Sequence, residues 1–176
     1  MKNIITILTL LVFSITSNAQ CSITKGSLDS GVKYFVAKSE KIHTNVDFEN
    51  GLQSAYAHLT VIQSPNNPNS LQFFLDVKTA ATGSKRKVVP SNITIKLKSG
   101  EIIDIRAEEV DVEYVGNIRM ETGVFRLNAD KYSKLVKNVL TKITIYDNRT
   151  GNQLNCYPYN GILQEQAICI TNRVYP

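Results

Sequence analysis

Leu71-Gln72-Phe73-Phe74-Leu75-Asp76-Val77-Lys78 sets Leu71, Phe73, Leu75 and Val77 on alternate positions, with Gln72, Phe74, Asp76 and Lys78 between them. Successive side chains of a strand point to opposite faces, so this stretch reads as a strand with one apolar face and one mostly polar face. That is the pattern of an antiparallel sheet resting on a core. Just upstream, Ser64-Pro65-Asn66-Asn67-Pro68-Asn69 has two prolines among asparagines and reads as a surface loop. Downstream, Thr79 to Pro90 is polar and carries Lys85-Arg86-Lys87. Three charges without aromatic or further basic support read as a solvated loop tip. The same period of two recurs from Lys33 onward between short turn signals. The expected fold is therefore all-β, with one or two short helices, in a two-layer antiparallel β-sandwich or open barrel of about seven to nine strands.

Register arithmetic tests the hairpins. A three-residue loop Lys98-Ser99-Gly100 pairs 97 with 101, 95 with 103 and 93 with 105, so Ile93, Ile95, Leu97, Ile103 and Ile105 share one face. A four-residue loop at 148–151 pairs 145 with 154 and 143 with 156, which turns Cys156 inward. One segment breaks the period: Asn128 is a suitable N-cap, and Tyr132, Leu135, Val136 and Val139 make a helical stripe over 129–139. The segment 162–170 fits a helix or a last strand, and the helix, with Leu163, Ala167 and Ile170 aligned, is the reading adopted.

The chain has 176 residues, 43% of them hydrophobic and 20% charged, with a net charge of +5. That suits one globular domain and lacks the clustered basic face of a nucleic-acid binder. Lys2, the apolar run from Ile4 to Ile15 and the small residues of Ser17-Asn18-Ala19 read as a secretory signal over 1–19, leaving 20–176 as one sandwich-like domain. The apolar run is shorter than the ~20 residues of a transmembrane helix. An exported protein is expected, periplasmic or extracellular. Lipoprotein anchoring at Cys21 is disfavoured, because Gln20 stands where lipid processing wants a small residue. Cys21, Cys156 and Cys169 allow at most one disulfide within the chain, and the sequence leaves all three pairings open. The signal ending in Ala-Gln, the strand-and-turn run Ile93 to Ile102 and the segment Leu127-Asn-Ala-Asp-Lys-Tyr resemble small exported envelope proteins of Gram-negative bacteria. The resemblance implies a location and a β-rich fold and carries no site residues.

Chemistry is harder to find. There is no Gly-x-Ser-x-Gly elbow and no phosphate-binding glycine motif. Cysteine spacing does not fit zinc, and Cys156 reads as structural. Asn45, Asp47, Glu49 and Gly51 resemble a calcium loop, but the glycine is one place late and Tyr56 stands where the last ligand belongs. Glu109, Asp111 and Glu113 share a strand face, spaced ~7 Å apart, and read as a solvated acidic row with Arg106 or Arg119 nearby. Asn50-Gly51 is a strong two-residue turn signal. A loop there pairs 47 with 54 and 45 with 56, and so sets His43 opposite His58, close enough to share a metal ion. The leading expectation is an exported, non-catalytic envelope module without a cofactor that binds protein, glycan or a small ligand. The alternative is a small exported hydrolase or metal-binding protein with its site around His43 and His58.

Overall fold

In the computed structural model, the described residues are 22–47, 51–67, 69–82, 87–159 and 161–174. The expected signal segment over 1–19, Cys21, Asn50 and Lys85-Arg86 lie outside them. The order is β1(Ile23–Ser27), β2(Lys33–Ala37), β3(Glu40–Asp47), β4(Gly51–Gln63), β5(Leu71–Ala81), β6(Asn92–Leu97), β7(Ile102–Arg106), β8(Glu109–Val115), β9(Ile118–Leu127), α1(Ala129–Lys137), β10(Leu140–Tyr146), β11(Gln153–Cys156) and α2(Ile162–Val174). A seven-stranded antiparallel sheet runs β1-β2-β4-β5-β9-β8, with β3 also on β4, and a four-stranded sheet runs β11-β10-β6-β7. The fold is all-β as expected, with eleven strands among the described residues instead of seven to nine. Part of the excess lies at β4, whose 13 residues take two partners along one edge: β2 pairs Thr60 to Gln63, and β3 pairs Gly51 to Ala57.

That shared edge also overturns the register expected of the Asn50-Gly51 turn. Asp47 pairs with Gly51, Thr44 with Ser54 and His43 with Ala55. In the expected register Lys41 would face Thr60, a place that Val36 of β2 already holds. The strand β3 therefore slides toward the turn. A bulge between Lys41 and His43 then lets Ile42 reach the core, where it is 3% exposed.

The other registers follow the sequence reading. Ile93 pairs with Ile105, Ile95 with Ile103, Ile143 with Cys156 and Ile145 with Leu154. Gly100 takes the left-handed conformation at the tip of the first hairpin (φ +88°), which glycine adopts without strain. Leu59, Leu75, Val77 and Phe125 of the large sheet and Ile95, Ile143 and Ile145 of the small one are fully buried in one cluster. Gly123 admits the crossing segment before β6, since a Cβ there would collide with the Pro90 carbonyl.

Asn128 caps α1 by accepting from Lys131 N–H (2.8 Å). The helix ends at Lys137, short of Val139, whose carbonyl already accepts from Lys98 N–H (2.7 Å). Tyr132 stacks on Phe73 with centroids 4.1 Å apart, and its hydroxyl donates to the Ala167 carbonyl (2.9 Å), which joins α1 to α2. The segment from Ile162 is a helix, with Leu163, Ala167 and Ile170 buried.

Candidate ligand-binding cleft

The two histidines do not meet. His43 opposes Ala55, on the core-facing side of β4, while His58 opposes Asp76 on the outer side. The shared metal position expected of them has no geometric basis, and among the described residues no group of three His, Cys, Asp or Glu side chains could hold a metal ion. His58 Nε2 instead lies 3.1 Å from Asp76 Oδ2, which also accepts from Thr60 Oγ1 (2.9 Å). Because the Thr60 hydroxyl is engaged with the carboxylate, it is not offered to the imidazole as a nucleophile. His43 is half-buried, its Nε2 lacks a hydrogen-bond partner, and burial holds its pKa below the usual 6.5.

Glu109, Asp111 and Glu113 do share one face of β8, in register with Val124, Thr122 and Met120. The arginines expected beside them are elsewhere. Arg119 forms an ion pair with Glu121, buried on the opposite face, and Arg106 pairs across from Asn92 in the small sheet. Cys156 is free and buried, and desolvation pushes its thiol up to about 12, so it is an inert core residue. Cys169 is disulfide-bonded.

A cleft of about 710 Å³ lies where α2 crosses the β1, β2 and β3 ends. It is larger than the hollow of about 450 Å³ on the outer face of the small sheet around Asn92 and Asp104. Ile23 and Ile162 give the cleft an apolar wall, and Lys38, Lys41, Glu40 and Glu165 bring charges of both signs. Tyr159, also in the lining, is 83% exposed. A smaller hollow of about 320 Å³ adjoins through Lys41, with His43 and Tyr157 in its lining.

Gln166 builds this region. The edge of β4 passes from β3 to β2 between Ala57 and Thr60, which leaves the Leu59 N–H without a strand partner. The Gln166 side chain accepts from that N–H (2.9 Å) and donates to the Lys38 carbonyl (3.0 Å). One side chain thus ties α2 to the gap between β2 and β3 and fixes the cleft floor.

Reading the sequence did not single out Gln166, Lys41, Tyr159 or Glu165. A helix at 162–174 does put Glu165, Gln166 and Cys169 within one turn or so of each other, but no spacing in the chain brings that helix beside residues 38–41.

Fold and cleft together define a two-sheet, all-β protein with a mixed-charge cleft at one sheet edge. In comparisons with known proteins the chain has no significant match to a family model, a curated protein or a solved structure.

Proposed function

We propose that the protein is an exported, non-catalytic binding module of the cell envelope, periplasmic or extracellular, whose ligand occupies the cleft between α2 and the β1 to β3 strands. The observation that carries this reading is the cleft itself: about 710 Å³, with an apolar wall, charges of both signs and an exposed Tyr159 in the lining. Ligand sites are concave and mostly apolar, with a few placed polar groups. The lining suits a small ligand, or a short stretch of protein or glycan, that offers polar groups beside a flat apolar surface. Export is supported by the signal-like segment 1–19 and by the disulfide at Cys169, a bond that persists in oxidising compartments. The hydrolase alternative has less to draw on, since the His58 and Asp76 pair lines none of the three hollows described above.

Titration of the labelled protein with soluble saccharides and with short mixed-charge peptides, followed by NMR, tests the reading. Shifts are expected at Lys41, Tyr159 and Glu165, and Glu165→Lys should abolish them. Turnover of chromogenic ester, phosphoester or glycoside substrates, lost on His58→Ala, would overturn it in favour of a hydrolase.

A further inference from the structure

Strand β8 closes the large sheet at the edge opposite β1, the strand that helps line the cleft. All seven of its residues are exposed. An edge strand offers a row of unpaired backbone donors and acceptors, a ready template for another strand. The side chains of β8 sort cleanly by face. Val110, Val112 and Tyr114 lie in register with Gly123, Glu121 and Arg119 on the core-facing side, and they remain 38%, 41% and 67% exposed. Glu109, Asp111 and Glu113 line the other side. Lys78 reaches Glu113 (3.6 Å), while no basic side chain among the described residues pairs with Glu109 or Asp111. The Val112 N–H donates to the neighbouring Asp111 carboxylate (2.8 Å), a local bond that an incoming carbonyl could replace.

We propose that β8 is a docking edge that accepts one extended strand from a partner protein, in which basic residues alternate with apolar ones. Strand addition joins main chain to main chain, and the alternating side chains decide which strand is accepted. The acidic row asks for lysine or arginine, and the row of Val110, Val112 and Tyr114 asks for apolar side chains. A second β8 does not fit, because pairing two copies would set carboxylates against carboxylates. Nor does β1 of a second copy, whose five residues include one basic side chain, Lys25. The acidic row therefore both discourages self-pairing and selects the partner.

The test uses the whole protein and an end-blocked peptide of seven residues, the length of β8, alternating lysine with valine. Saturable binding is expected, with NMR shifts and slowed amide exchange along β8. A peptide with glutamate in place of lysine should bind more weakly, and one N-methylated at every amide, which has no backbone donor on either edge, should not bind. Asp111→Lys should weaken binding about tenfold, and Glu109→Lys with Asp111→Lys and Glu113→Lys should reverse the charge preference. Equal binding of the N-methylated peptide would mean charge attraction without strand addition and would overturn the proposal. So would no binding, shifts centred away from β8, or self-association through β8. Because the cleft involves residues 22–41 and 159–169, the shifts tell failure of this proposal from failure of the cleft reading.

Discussion

At the scale of single residues, two titratable groups give the protein a pH dependence with two separate limbs. Asp147 is 1% exposed at the start of the turn before β11. Burial pushes its pKa up, but hydrogen bonds from Thr150, Arg149 and Val89 outweigh that and leave it below 3.8. Its backbone donors are Arg149 N–H (2.9 Å), Thr150 N–H (3.3 Å) and Val89 N–H (3.4 Å). A carboxylate with a depressed native pKa contributes stability above its unfolded value, and that stability is lost as pH falls through the folded value. Acid unfolding should thus show a limb below about pH 4 that Asp147→Asn flattens, and Asp147→Ala should cost about 2–4 kcal/mol in denaturant titration. His43 has the opposite chemistry and gives its limb at milder pH. Burial lowers its pKa from 6.5, so below that value the unfolded chain takes up protons more readily than the folded one. Stability should fall as pH drops from about 7.5 to 5.5, and His43→Leu should remove that part of the loss, read as midpoint against pH.

At the scale of elements, Gln166 is where the helix α2 and the edge of β4 depend on each other. Gln166→Leu leaves the buried Leu59 N–H without an acceptor and should cost about 1–3 kcal/mol, whereas Arg173→Ala at the exposed end of α2 should change stability by less than about 0.5 kcal/mol. Similar effects in a denaturant titration would mean that the side chain does not hold the gap. On α1, Leu135→Ala should cost about 2–5 kcal/mol, since Leu135 is 1% exposed. The same elements show what a sequence makes legible. The hairpins at 93–105 and 143–156 were readable because loop length and the apolar face each demand one register and agree. The α1 stripe was readable because the Asn128 cap and the apolar spacing lie within one short segment. The pairing of β3 was not, because it is decided by β2 occupying the neighbouring stretch of β4, a competition that no local pattern records. The cleft was illegible for a related reason. Its wall joins residues 22–41 to 159–169, and what joins them is a glutamine whose need to hydrogen-bond is indistinguishable in sequence from that of any other.

At the scale of the whole molecule, the cysteines connect the fold to its compartment. Cys169 is disulfide-bonded and Cys156 is a free core thiol, and the sequence holds three cysteines. Cys169 lies in the wall of the cleft together with Ser22, the residue that follows Cys21 in the chain. Peptide mapping of the non-reduced protein is therefore expected to find Cys169 joined to Cys21. Such a bond bears directly on lipid anchoring, because a Cys21 sulfur that carries a diacylglyceryl group cannot also form a disulfide. Intact mass should thus match a chain beginning at Gln20, lighter than its reduced form by the two hydrogens of one disulfide, with no lipid. Alkylation without reductant should label nothing in the folded protein and Cys156 alone after denaturation, since burial keeps that thiol protonated. A lipid-sized addition on a chain beginning at Cys21 would reverse the assignment and tether the molecule to a membrane by its N-terminus.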